Sequence, residues 1–192
     1  FMTNLRRSAG VLLLVLLVAL ASFAGDKPKP GKTEDFTIES PLMQRTLTYR
    51  VIFPHKYKQK DEKKLYPVIY LLHGLSGGFR NWTEKTKVSE YIAGTGFIVV
   101  MPDGGDGWYT DSATVAADRY ESHFITEFIP AIDAKFRTIA KREGRFITGL
   151  SMGGYGAIKF GLKYPDKFIV AGSFSGALDA PLRGQEHPYL RP

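Results

Sequence analysis

The sequence predicts an α/β fold, a mostly parallel central sheet with helices on its faces. Three observations predict it. Four short, continuous apolar runs, at Val68–Leu72, 97–101, 146–148 and 168–172, read as strands buried on both faces. Segments with helical periodicity separate these runs, which implies βαβ units with right-handed crossovers. Three runs end in turn-forming or chemically active residues: His73-Gly74, Pro102-Asp103-Gly104 and Gly149-Leu150-Ser151. In an open parallel sheet, ligands bind beyond the carboxyl ends of the strands, so these three ends should converge.

Each element follows in order. The stretch 26–33 is rich in Lys, Pro and Gly without periodicity and reads as a linker, with structure starting near Phe36. Residues 46–53 alternate polar and apolar and read as an early antiparallel strand. A Lys-rich connection follows, then Pro67 and the first buried run. The stretch 83–93 is a short helix candidate. In 120–136 the residues Phe124, Phe128, Ile132 and Phe136 recur every fourth position and form one buried stripe. Pro130 removes one backbone hydrogen bond from that helix and should kink it. Residues 153–164 form a further helix, with Ile158 and Leu162 on one face and Pro165 as its stop.

Composition bounds the class. The chain has 192 residues, 44% hydrophobic and 23% charged, which fits one globular domain. The net charge of +7 is spread along the chain. Its densest cluster, Lys56, Lys58, Lys60, Lys63 and Lys64, alternates with Asp61 and Glu62 in a connection and reads as a solvated surface, so no nucleic-acid partner is expected. Without cysteine no disulfide can form. At the start, Arg6 and Arg7 precede an apolar run over 11–20, and Ser22-Phe23-Ala24 offers a cleavage site after Ala24. The apolar stretch is shorter than the about 20 residues a membrane span needs. The expectation is a signal peptide over 1–24, a linker over 25–35 and a domain over 36–192, secreted or periplasmic, with no stable membrane anchor after cleavage. Phe1 ahead of Met2 reads as an open frame taken from a longer piece.

Gly149-Leu150-Ser151-Met152-Gly153 matches G-x-S-x-G between a buried strand and a helix. A hydroxyl is a weak nucleophile and has to be presented for attack. A sharp strand-to-helix turn exposes it, and glycines let neighbouring backbone pass close by. The helix start adds amide groups and the positive end of its dipole. Ser151 is therefore the candidate nucleophile. Acyl transfer needs two donors for its oxyanion, and losing one costs about 10²–10³ in rate. The candidates are the backbone N–H groups of Met152 and Leu75, the latter in the Gly-rich loop 72–78. His73, Gly74, Asp103, Trp108 and Tyr109 are the candidate substrate-lining residues. His73 is read chiefly as a packing residue that fixes its loop, because the triad order in such proteins runs Ser, acid, His.

Several stretches together resemble the esterase family of α/β-hydrolases. That family takes in esterase D/S-formylglutathione hydrolases, feruloyl and acetylxylan esterases and mycolyltransferases. The stretches are Tyr70-Leu71-Leu72-His73-Gly74, Val100-Met101-Pro102-Asp103-Gly104, Trp108-Tyr109-Thr110-Asp111, Gly149 to Gly156, and Ser173-Phe174-Ser175-Gly176. The resemblance implies an α/β-hydrolase fold, Ser151 as nucleophile and Leu75 and Met152 as oxyanion donors. It implies neither metal nor cofactor. In mycolyltransferases the position of His73 looks to be acidic, so hydrolysis is the expected activity here.

The resemblance also implies a triad acid and histidine on loops after two later strands. After Ser151 the sequence offers one more strand, then Asp179, too early to follow another, and Glu186 and His187 with no further strand before them. The expectation is that the acid and histidine lie beyond Pro192 and that these 192 residues alone are inactive or nearly so. The favoured function is a secreted serine carboxylesterase acting on a small-molecule or polysaccharide-linked ester, such as a feruloyl or acetyl ester. The alternatives are a mycolyltransferase-like acyltransferase, an S-formylglutathione hydrolase-type thioesterase and a non-catalytic binding module.

Overall fold

The structure, a computed structural model, describes residues 27–60 and 63–180. The expected signal peptide, Glu186 and His187 lie outside the described residues. Six strands form one sheet: β1 (Thr33–Ser40), β2 (Arg45–Ile52), β3 (Val68–Leu72), β4 (Ile98–Pro102), β5 (Arg145–Leu150) and β6 (Val170–Phe174). Their spatial order is β1-β2-β4-β3-β5-β6. The β1–β2 hairpin is antiparallel and β2 runs antiparallel to β4, whereas β4, β3, β5 and β6 are mutually parallel. This is the mostly parallel sheet that the apolar runs predict.

Strand β1 starts at Thr33, so 33–35 belong to the hairpin rather than to the expected linker. Its sequence is half polar because only one face is covered: Phe36 and Ile38 turn toward the core while alternate residues face water. Strand β6 starts two residues later than the apolar run suggests. Phe168 ahead of it is buried, and Val170 and Phe174 within it are exposed.

Two apolar layers sandwich the sheet. On one face the long helix is continuous from α3 (Tyr120–His123) through a π-helical turn (Phe124–Phe128) into α4 (Ile129–Lys135). Pro130, one of the first residues of α4, has no N–H to give back to the preceding turn. The wider π register directly before it accommodates that loss, so the expected kink takes the form of a π turn. Phe124 and Phe128 meet the buried Tyr70 of β3 at 5.4 and 6.3 Å between ring centroids. Phe160, on helix α5 (Met152–Lys163), stacks on Phe124 at 5.0 Å. Burying each such ring contributes roughly 2 kcal/mol. On the other face lie two short helices, α1 (Asn81–Lys85) and α2 (Val88–Tyr91), where one weak helix was expected. Trp82, Val88 and Ile92 pack there on Ile52, Leu71, Val99 and Met101.

Candidate active site

The carboxyl ends of β3, β4 and β5 converge, and Ser151 stands at the bend between β5 and α5. Its backbone has φ 55° and ψ −115°. An L-residue holds such a conformation at a cost of roughly 1–3 kcal/mol, so its surroundings must fix it. They do so on both sides. The Ser151 N–H donates to the Phe174 carbonyl at 2.9 Å, and its carbonyl accepts from Tyr155 N–H at 2.9 Å and Ala177 N–H at 3.3 Å. The flanking glycines are steric necessities. A Cβ on Gly153 would lie 2.5 Å from the Leu72 and His73 carbonyl oxygens, and one on Gly149 would lie 2.5 Å from the Gly153 backbone.

The loop after β3 runs directly past the serine. A Cβ on Gly74 would sit 3.5 Å from Ser151 Cβ. Leu75 follows Gly74 and is partly buried, and Met152 is fully buried at the first position of α5, where an amide has no partner within the helix. Among the described residues, no hydrogen bond outside the helices and strands uses the N–H of Leu75 or Met152. The loop that carries Leu75 and the start of α5 are thus the two chain segments next to Ser151.

His73 is buried and both ring nitrogens are engaged. Its Nε2 accepts from Gly104 N–H at 2.8 Å, which leaves Nδ1–H to donate to the Gly74 carbonyl at 2.8 Å. That network ties the β3 loop to the β4 loop and assigns the neutral tautomer. Asp103 Oδ1 lies 3.7 Å from Nε2, beyond hydrogen-bond distance, and accepts instead from Gly105 N–H at 2.9 Å. A second tie joins Ser76 N–H to Asp106 Oδ1 at 2.6 Å.

Trp108 and Tyr109 both have φ 53°, unusual for bulky residues. Tyr109 is 2% exposed and donates its hydroxyl to the His73 carbonyl at 3.2 Å. Burial holds its phenol well above its usual pKa. It thus supports the loop from beneath, and it is Trp108 that faces the Tyr155 ring, 5.9 Å away and edge-on, above the helix start.

A charged network without any local signature in the sequence anchors this loop. Lys159 Nζ, one side of α5, donates to the Tyr109 carbonyl at 2.6 Å, to Thr110 Oγ1 at 2.9 Å and to Glu121 Oε2 at 2.8 Å. Glu121 is buried and also accepts from Lys163 Nζ and from Tyr164 hydroxyl, both at 2.6 Å. Burial pushes its carboxyl up, but these donors outweigh burial and bring it down to about 2. Burial lowers the Lys159 ammonium, with Glu121 opposing.

Ser151, Gly74, Leu75, Met152, His73 and Trp108 thus gather at one place. The remaining described histidines do not join them. His123 bonds Glu127 at 2.7 Å under the β1–β2 hairpin, and His55 lines a cavity of about 630 Å³ at the amino ends of the parallel strands. Asp179 follows β6 and is exposed.

The sheet order, the flanking helices and the serine-bearing bend define an α/β-hydrolase. More narrowly, the chain belongs to the esterase family: the family described as "Putative esterase" matches residues 40–185. It is 41% identical over 133 residues to "Esterase Rv1288" of Mycobacterium tuberculosis, covering 66% of this chain and 28% of that protein. It is 31% identical over 145 residues to an acetyl esterase of Caldicellulosiruptor saccharolyticus, covering 72% of this chain and 54% of the relative. It superposes with a TM-score of 0.73 and 28% identity on FphF, a fluorophosphonate-binding serine hydrolase of Staphylococcus aureus, covering 84% of this chain and 64% of that one. Ferulic acid esterases, S-formylglutathione hydrolases and mycolyltransferases are also among its relatives. The chain therefore spans between 28% and 64% of the lengths of the three proteins compared.

Proposed function

We propose that this chain carries the nucleophile and oxyanion hole of an exported serine carboxylic-ester hydrolase. The observation that carries the reading is the strained, doubly pinned bend at Ser151, which the Gly74 loop passes closely; the Leu75 and Met152 amides are the proposed oxyanion donors. Ser151 Oγ attacks the ester carbonyl, and its proton passes to a base. The oxyanion gathers between the two amides. On collapse the ester C–O bond breaks, the alcohol leaves with that proton, and an acyl-Ser151 ester remains. Water then repeats the sequence, releasing the acid and restoring the serine.

The base is proposed to come from outside the described residues, because both His73 nitrogens are already engaged and His55 and His123 lie away from the serine. Feruloyl or acetyl esters on polysaccharides are the proposed substrates. Relatives named acetyl esterase and ferulic acid esterase support that choice, as does the apolar run behind Arg6 and Arg7, which suits export.

The test compares the protein, in the longest form its gene encodes, with its Ser151→Ala variant. A fluorophosphonate probe should label the first at Ser151 only, and p-nitrophenyl acetate hydrolysis should fall at least 10³-fold in the second, with the far-UV spectrum unchanged. Labelling elsewhere, or turnover that survives the substitution, overturns the proposal.

A further inference from the structure

We infer that the cavity at the amino ends of the parallel strands is a second ligand site, which takes a carboxylate carried on an apolar body. The inference stands apart from the esterase reading. Strand β5 runs its full length from that end of the sheet to the bend at Ser151. The cavity lies where the end of β2, the start of β1 and the end of α4 meet. It holds about 630 Å³, within the roughly 300–1,000 Å³ usual for small-molecule sites.

Its apolar wall is built from Phe36, Phe53, Tyr57 and Phe136. Phe53 stacks on Tyr57 with 4.6 Å between ring centroids and stands edge-on to Phe136 at 5.4 Å. Phe36 stands edge-on to Phe136 at 5.2 Å. The rings thus hold one another in place before any ligand arrives. Hydrogen bonds fix the rim around them. Phe53 N–H donates to the Lys32 carbonyl at 2.8 Å, and Tyr57 N–H to the Pro54 carbonyl at 3.0 Å. Gln59 Nε2 donates to the Lys135 carbonyl at 2.6 Å, and Arg137 N–H to the Tyr57 hydroxyl at 3.1 Å. A site already ordered in this way costs less to fill.

The polar part of the lining is cationic. Lys32, Lys56 and Lys135 face a single carboxylate, Glu34, and Lys32 pairs with it at 2.8 Å. Among the described residues, neither Lys56 nor Lys135 has a carboxylate within ion-pair distance. The Lys135 ammonium lies 4.7 Å over the Phe36 ring, at the edge of the apolar wall. Lys56 holds φ at 60°, so a lysine is kept where glycine would be less strained. Two ammonium groups without counter-ions beside an aromatic wall complement one acid group on an apolar body. The same groups repel a cation, and a wholly polar anion would leave the wall bare. Straight-chain and ring-bearing acids share the required chemistry.

Decanoate and 2-naphthoate are the probes, titrated by calorimetry into the protein in the longest form its gene encodes. Saturable binding of one per chain is expected, and the tighter of the two identifies the shape of the body. Acetate, which lacks that body, should bind at least about 10-fold more weakly than decanoate. Decyltrimethylammonium, which keeps a ten-carbon body and reverses the charge, should also bind at least about 10-fold more weakly. The double variant Lys56→Gln/Lys135→Gln should weaken decanoate binding about 5-fold, and Glu34→Gln, which frees Lys32, should tighten it about 2-fold. Lys85→Gln, an exposed position on α1, should leave it unchanged. Thermal unfolding checks that each variant is folded. No saturable binding, equal binding of acetate or of the ammonium, or a loss in Lys85→Gln as large as in the double variant overturns the inference. So does decanoate binding that the double variant and Glu34→Gln both leave unchanged, which is the pattern of an acid held at the serine end. Fluorophosphonate labelling reports separately on Ser151, so either reading can fail without the other.

Discussion

In the loops after β3, β4, β5 and β6, Ser76, Trp108, Tyr109, Ser151 and Ser175 all hold positive φ, whereas the loops at the opposite end of the sheet hold one such non-glycine residue among those described, Lys56. Each left-handed L-residue costs roughly 1–2 kcal/mol. At the carboxyl end that strain is held by buried and part-buried hydrogen bonds: Gly104 N–H to His73, Tyr109 hydroxyl to the His73 carbonyl, Lys159 to the Tyr109 carbonyl. The amino end has an aromatic cluster instead, with Phe53 stacked on Tyr57 and edge-on to Phe136. One end is rigid and strained by polar ties; the other is stabilised by ordinary apolar burial. Strain concentrated where three strand ends meet marks that end as the working one.

Substitutions on the two ends sharpen this contrast. Gly153→Ala should have the largest effect. Its methyl would press on the Leu72 and His73 carbonyls, and backbone cannot move aside as a side chain can. A loss of about 3 kcal/mol in urea unfolding is expected, together with collapse of the Ser151 bend. An unchanged midpoint would break the comparison.

Glu121→Gln should come next, at roughly 2 kcal/mol near pH 7, less than a fully buried pair because Lys163 reaches Glu121 from the open side. The sign of its pH dependence is fixed. The folded carboxyl sits at about 2 against an ordinary 4.5, so its contribution is complete above pH 4.5 and lost as pH falls toward 2. The stability gap between wild type and Glu121→Gln should therefore close over that window in urea titrations. A gap that ignores pH would remove the carboxylate from the account. The smallest effect is expected at the amino end. Lys56→Gly relieves a left-handed lysine but adds chain entropy, for a net gain of about 0.5 kcal/mol and no change in Ser151 labelling.

The central sheet was legible because strands buried on both faces have to be apolar throughout, as Val68 to Leu72 are. Gly149-Leu150-Ser151-Met152-Gly153 was legible because a tight bend permits few residues. Strand β1 was harder to read: its one-faced pattern of Phe36 and Ile38 sits among Glu34, Asp35 and Glu39. The π turn gave no signal beyond Pro130. The Glu121–Lys159 pair gave none at all, since the two residues come together only through packing of α3 on α5. Positive φ at Trp108 and Tyr109 runs against residue preference and is imposed by their surroundings rather than by local sequence.

Helix α5 begins one residue after the hydroxyl and, two turns on, places Lys159 against the floor of the β4 loop. Ser151 and the floor of that loop are thereby mounted on a single rod. Adding or deleting one residue between Met152 and Lys159 would swing the ammonium by about 100° around that rod and release the loop, with every atom of the bend untouched. The spacing from serine to lysine is thus a gauge length, set by the pitch of the helix.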